Sequence, residues 1–360
     1  MKILKFIFKF ILLPFILLNV LGVIFFTVKN KIYLAGEDQT HVNYLNKNME
    51  TLDKTNATFN TFDSAFYNNS VFILSENHGY ADVQNVDEQL FIHLNKKTGL
   101  RFYIAEMDSL RANRLNVFLK NPVADLALLK SVVKDIAIRI PQQSSQQLYE
   151  KWLHIHAYNQ QLAANAKVEV LGLDQNFEET NAKIGRDSSM LLNFFSMVEK
   201  RGLRNEKFYG LFGYFHSMQQ GVTEKIRYPF AAKLRRNTAF PQLQDVQTIA
   251  CLTLESEMYL PPTEGMPTPP DQKSTYFNVD GPVLLTKGIN DLKAITQPNS
   301  MTIFHLNNTN SPFKNSQRLA GVKVNLLGDE VLPNNESQVT TDFFQHVILL
   351  RGSKSLSPLK

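Results

Sequence analysis

The chain has 360 residues, 44% hydrophobic and 20% charged, enough to bury a full core in one large domain or two small ones, which excludes disorder as its main state. Its net charge of +5 comes from Lys and Arg spread along the chain, with five lysines flanking an N-terminal apolar segment and no long basic run elsewhere, so nucleic acid is not expected as a partner. A lone Cys251 excludes an internal disulfide and a cysteine-based zinc site.

From Ile3 to Val28 the sequence is almost uninterruptedly apolar, and no charge falls between Phe10 and Phe26. About 20 residues at about 1.5 Å each span the roughly 30 Å of bilayer hydrocarbon, and Lys5 and Lys9 can snorkel to the headgroups. Residues 1–28 are therefore expected to form one transmembrane helix, with residues 3–28 in contact with the membrane. A cleaved signal has an apolar region of about 7–15 residues and a small-x-small site. The longer run here, with no A-x-A-like site before Gly36, favours an uncleaved anchor. The N-terminal amine, Lys2, Lys5 and Lys9 outweigh Lys29 and Lys31, which puts the soluble domain on the non-cytoplasmic side of a single-pass protein. Residues 29–48 read as a polar juxtamembrane stalk and residues 49–355 as the folded domain.

The first strand of that domain is expected at Val71-Phe72-Ile73-Leu74, a continuous apolar run suited to cover on both faces, entered from the turn-forming Asn68-Asn69-Ser70. Val83, Val86, Leu90, Phe91 and Leu94 then recur at helical spacing from Ala81 to Lys97, and Thr98-Gly99 closes that helix. A second strand, Arg101 to Ala105, ends in Glu106. Helices follow at about 109–119, 123–140 and 146–164, then a third strand from Val168 to Leu173 that ends in Asp174. A helix over about 181–200 leads to a strand from Phe208 to Phe215 that ends in His216. Further strands are expected near 248–255, 301–306 and 344–350, and a proline-rich loop at 261–270 could border a site. Strands alternating with helices make this an α/β fold, a mainly parallel sheet flanked by helices.

In open α/β sheets ligands bind beyond the carboxyl ends of the strands, where helix N-termini expose unpaired N–H groups. Four strands finish with Glu76 and His78, Glu106, Asp174 and His216, each directly after a run too apolar to be surface. Singly, each has a structural explanation: Asp174 as a helix cap, Glu106 as the partner of an arginine such as Arg111, a histidine as a satisfied core residue. Their shared position is what points to a site. An imidazole held by a carboxylate can take a proton from water, with His78 or His216 as the base and Glu76 and Glu106 orienting it. The same five side chains, Glu76, His78, Glu106, Asp174 and His216, are also donors suited to a divalent metal ion that activates water. His305, near the end of a late strand, is a further candidate, whereas His154 and His156, two apart on a helix, do not face one ligand. No G-x-S-x-G, H-E-x-x-H or Gly-rich phosphate loop occurs.

Several of these segments, in order, resemble the erythromycin esterase-like family, within the wider grouping that takes in ChaN-like and TIKI-type proteins. V-F-I-L-S-E-N-H-G (71–79) is similar to that family's strand followed by Gly-Glu and a nearby His, and F-Y-I-A-E, ending at Glu106, to its next strand. W-L-H-I-H-A-Y-N with V-E-V-L-G-L-D, ending at Asp174, resembles its helix and G-x-D strand, G-Y-F-H its later strand-end histidine at His216, and F-F-Q-H-V-I-L-L its last strand. This chain reads as a divergent member: Ser75 stands where the family has Gly, and Asp82, Asp87 and Glu88 occupy the helix where macrolide esterases carry an arginine. The resemblance implies hydrolysis at Glu76, His78, Glu106 and His216, with a metal ion in some relatives. The function expected is a membrane-anchored hydrolase of a small-molecule substrate, and the alternative is a non-catalytic envelope protein that binds a metal or haem through the same cluster.

Overall fold

In the computed structural model, which describes residues 10, 12–179, 183–222, 228–263, 267–324, 330–333 and 335–360, the chain opens with α1 (Leu13–Leu34), α2 (Gln39–Lys47), β1 (Met49–Leu52), α3 (Ser64–Tyr67) and β2 (Val71–Glu76). Then come α4 (Ala81–Thr98), β3 (Phe102–Ala105), α5 (Ser109–Lys120), α6 (Leu126–Ile136), α7 (Gln146–Gln160), β4 (Glu169–Gly172), α8 (Arg186–Arg201) and β5 (Phe208–Gly213). The remainder is α9 (Phe230–Arg235), β6 (Val246–Leu254), β7 (Met258–Tyr259), β8 (Lys273–Ser274), β9 (Leu284–Thr286), α10 (Ile289–Ile295), β10 (Met301–His305), β11 (Val322–Val324), β12 (Glu330–Leu332), α11 (Thr340–Phe343) and β13 (His346–Arg351). The start of the apolar segment, residues 1–9 and 11, lies outside the described residues, as do 180–182 at the front of the helix expected from 181, and 264–266 of the proline-rich loop.

Eight strands form the main sheet in the order β1-β10-β13-β6-β2-β5-β3-β4. The six from β13 to β4 run parallel, and β1 and β10 add an antiparallel edge. Because successive strand residues point to opposite faces, the continuous apolar runs sort into two layers. Phe72 and Leu74 pack with α4 to α7 on one face, while Val71 and Ile73 pack with α8 and α9 on the other. Helix α4 keeps the expected register: Val83, Val86, Leu90, Phe91 and Leu94 are buried, and Gly99 ends it in the left-handed conformation.

Several elements differ from the sequence reading: it has no counterpart of β1 or of the short strands β7, β8, β9, β11 and β12, and two further segments end or pack otherwise than expected. The strand expected to run to Phe215 stops at Gly213, because β2, its ladder partner, ends at Glu76; the last link is Tyr214 N–H to the Glu76 carbonyl at 2.7 Å, and 214–217 then turn. Within residues 29–48, read as a stalk, α1 continues to Leu34, and α2 follows with His41 and Leu45 buried against the domain. Helix α1 is long and apolar enough to cross a membrane, and none of its most apolar window is buried; a signal sequence meets the same description.

His305 lies away from the strand-end cluster. It pairs with His346 at the start of β13, the sheet edge opposite the carboxyl ends, and the two rings stack with centroids 4.5 Å apart. His346 is buried, touches Phe62 and Phe66 edge-on, and neither ring nitrogen has a hydrogen-bond partner among the described residues. Burial, helped by His305, holds its pKa well below the ordinary 6.5. The folded state therefore resists protonation that the unfolded chain accepts, so this contribution is intact above the unfolded pKa and is lost as pH falls below it. Each such group steepens the loss by up to about 1.4 kcal/mol per pH unit below roughly pH 6.5. Denaturant unfolding between pH 7 and 5 should show a shallower loss of stability in His346→Leu than in the wild type; equal slopes would remove His346 from the acid response.

Candidate functional site

The carboxyl ends of β2, β5, β3 and β4 lie side by side, and their polar residues form two groups, Glu76 with His78 and Glu106 with Asp174 and His216, that adjoin at Gly213. Glu76, the last residue of β2, is 1% exposed. Two residues on, His78 directs Nδ1 to Glu76 Oε1 at 2.9 Å, and the same oxygen accepts from the Gln143 amide. Gly79 makes this turn possible: at φ +107° it takes a conformation side chains disfavour, and a Cβ there would stand 2.7 Å from the Tyr259 carbonyl oxygen. Its own carbonyl accepts the N–H groups of Tyr259 and Leu356, which pins the turn to two later segments.

Glu106 follows β3 and is 5% exposed, with Oε2 accepting the Gly213 N–H. Gly213 also permits the close approach of His78, since a Cβ there would lie 3.2 Å from His78 Nε2 and 3.5 Å from Glu106 Oε2. Asp174, 2% exposed, follows β4. Arg186, in the first turn of α8, joins the two acids: its Nη2 is 2.6 Å from Asp174 Oδ2 and 3.1 Å from Glu106 Oε1. Arg186 Nη1 is 3.2 Å from His216 Nε2, and His216 Nδ1 is 2.7 Å from Asp187 Oδ1. His216 Nε2 also stands 3.6 Å from Glu106 Oε1.

All five residues singled out in the sequence thus meet at one edge, but their partners differ from those expected of them singly. Arg111 binds Asp108 and Glu178, leaving Glu106 to Arg186. Among the described residues Asp174 caps no helix, and α8 has Gly185 at its N-cap. The sequence reading missed Arg186, Asp187 and Gln143. For Arg186 and Asp187 a signal existed: the first turn of the helix after β4 must sit at the carboxyl edge of a parallel sheet, and both charged residues lie in it. Gln143 lies in a short 3-10 turn, Pro141–Gln143, and nothing in its spacing marks it.

Charge is arranged around the two imidazoles in a definite order. Burial pulls the His78 pKa down, but Glu76 and Glu106 outweigh it and raise the value above 6.5, with Arg186 opposing. His216 follows the same pattern: burial lowers it, and Asp187 and Glu106 raise it further. Burial pushes the Glu106 carboxyl up, yet His216, Arg186, His78 and the Gly213 N–H together hold it below the ordinary value, so it stays ionised. With Nδ1–H given to Glu76, His78 keeps Nε2 as a base. His216 gives Nδ1–H to Asp187 and presents Nε2 to the guanidinium.

This donor set does not suit a divalent metal ion. Arg186 already neutralises Glu106 and Asp174 at ion-pair distance, so a metal ion would meet a permanent cation in their midst. Among the described residues no group of three or more His, Cys, Asp or Glu side chains is arranged to hold a metal. Nor do the imidazoles suit a haem iron: both ring nitrogens of His216 are engaged, and the remaining nitrogen of His78 lies against Gly213 and the Glu106 carboxylate instead of an apolar slot.

No protein-family model matches the chain, and no curated protein matches it. Among solved structures it is similar to a succinoglycan biosynthesis protein, at TM-score 0.59 and 12% identity, covering 89% of this chain and 98% of that one. A protein from Bacillus cereus matches at TM-score 0.59 and 12% identity, over 89% and 99% of the two chains. A mutant of the erythromycin esterase EreC in its open conformation matches at TM-score 0.60 and 11% identity, over 87% of this chain and 99% of that one. TM-scores of 0.59–0.60 at 11–12% identity show a common fold and no more: the chain has the α/β fold of an erythromycin esterase along nearly its whole length, in agreement with the resemblance read from its motifs.

Proposed function

We propose that this protein is a membrane-anchored hydrolase of ester substrates, with His78 as general base and its soluble domain on the non-cytoplasmic side. The observation that carries the reading is the Glu76–His78 pair. A carboxylate buried at the end of a strand fixes the imidazole tautomer through Nδ1, which leaves Nε2 basic beside Gly213, where no side chain crowds it. Water loses a proton to Nε2 as its oxygen bonds to the acyl carbon, and Glu76 stabilises the imidazolium. The tetrahedral intermediate then expels the alkoxide, which takes that proton, giving an acid and an alcohol. Arg186 and His216 are the groups in this reading that face the negative oxygen as it develops, with their charge offset by Glu106, Asp174 and Asp187. His216 is the weaker candidate for base because the guanidinium faces its Nε2. The shared fold with an esterase supports the reaction class without naming the substrate.

A panel of nitrophenyl esters should be turned over by the wild type and not by His78→Asn, with rates unchanged by chelator; activity lost to chelator and restored by a metal ion would overturn the proposed chemistry. Activity should rise with pH through a value above 6.5, since the base form does the work and the His78 pKa is raised. Glu76→Gln removes the charge that raises it, so the acid limb of the rate profile should move to lower pH while kcat falls about 10²–10⁴-fold. A limb that stays in place would separate Glu76 from the base. Arg186→Met leaves Asp174 and Glu106 buried without their counter-charge and should cost about 3–5 kcal/mol in denaturant unfolding, partly recovered by adding Asp174→Asn.

A further inference from the structure

Helix α1 is fastened to the domain where it ends. The Leu34 carbonyl accepts the Gly288 N–H at 2.7 Å, the Ala35 carbonyl accepts from the Asn290 amide at 2.7 Å, and the Gly36 carbonyl accepts from Arg318 Nη2 at 2.6 Å. Arg318 is itself locked by a two-point ion pair with fully buried Asp291, at 2.6 and 2.8 Å, and Asp291 also accepts the Asp38 N–H. Leu34 packs into the same apolar cluster as Tyr214 and Phe215, which lead into His216, and the Tyr33 hydroxyl donates to Glu330. Three successive carbonyls are each met by a placed donor, so cleavage between Gly36 and Glu37 would leave those donors without their partners.

The clamp also lies a short way from the site. Backbone pairing runs from Leu34 to Gly288, then from Thr286 to Val279 and from Val279 to Thr253 on β6, three residues past the register of Ser75 with Ala250 and so level with the His78 turn. Three pairing steps and the spacing from β6 across to β2, each about 4.8 Å, with one two-residue step make about 26 Å at most. A tether that only kept the domain near a bilayer would need neither the clamp nor the short path.

We infer that α1 is retained and rigidly coupled, and that the substrate is an amphiphile held in the same bilayer, its ester in the headgroup layer within reach of the strand-end site. This rests on the hydrolase reading above. The full chain in phosphatidylcholine vesicles should hydrolyse an embedded long-chain nitrophenyl ester as well as a soluble short-chain one. A 12-residue Gly/Ser insertion between Ala35 and Gly36, and separately Arg318→Gln, should lower the embedded-ester rate about tenfold and leave the soluble-ester rate within twofold. Both rates unchanged would overturn the coupling and leave the hydrolase standing. Neither ester hydrolysed by the wild type would remove the hydrolase reading and this one with it. Intact mass of the membrane-extracted chain should include residues 1–36, and a mature N-terminus beyond Gly36 would overturn retention.

Discussion

The guanidinium of Arg186 is the constraint on which the strand-end edge depends. Glu106 and Asp174 are buried at the ends of neighbouring parallel strands, and burying two carboxylates side by side is costly unless a cation stands between them. An arginine suits this role better than a lysine, because its planar fork meets two carboxylates from fixed directions and stays charged when desolvated. Its position follows from topology. β4 ends at the carboxyl edge and α8 begins there, so the first turn of α8 delivers Arg186 and Asp187 together, one to the acids and the other to His216.

That arrangement separates two histidines that look equivalent in sequence. Both follow an apolar strand, both are partly exposed, and both have a carboxylate at Nδ1. They differ in what meets Nε2. His216 faces a guanidinium that competes with any proton, while His78 faces Gly213, whose missing side chain leaves the ring room. A division into base and electrostatic partner therefore arises from the second nitrogen, not from the carboxylate each ring shares a bond with.

How much of this was legible in the sequence depends on the range of the interaction. The strands could be read because both faces of a parallel sheet are covered, so Val71 to Leu74 and Phe208 to Phe212 are apolar without alternation. The strand-end residues could be read because polarity appears abruptly where that cover stops. The end of β5 could not, since Gly213 is followed by the still apolar Tyr214 and Phe215, and only the length of the neighbouring strand decides where pairing ceases. Gln143 reaches Glu76 across 67 residues from a short 3-10 turn, a distance over which local pattern carries no information, whereas Arg186 was marked only by its place in the first turn of the helix after β4. The packing of α2 was hidden for a similar reason: its apolar face is only His41, Tyr44 and Leu45, too narrow to stand out in a polar stretch.

The same edge bears a concentrated cost. Ser75 Oγ, Glu76 Oε2 and Asn77 Nδ2 are buried without a hydrogen-bond partner among the described residues, three consecutive residues in the run that leads to His78. Each such group costs about 1–3 kcal/mol when desolvated and unpaired, so this run opposes folding. The layers beneath it, Phe72 and Leu74 against α4 and Val71 and Ile73 against α8 and α9, are fully buried and apolar and can carry that cost. A polar run that had only to end a strand would be free to turn toward solvent. Glu76 is instead held inward beside His78, with one oxygen in the pair and the other unspent, which is the arrangement expected where position matters more than stability.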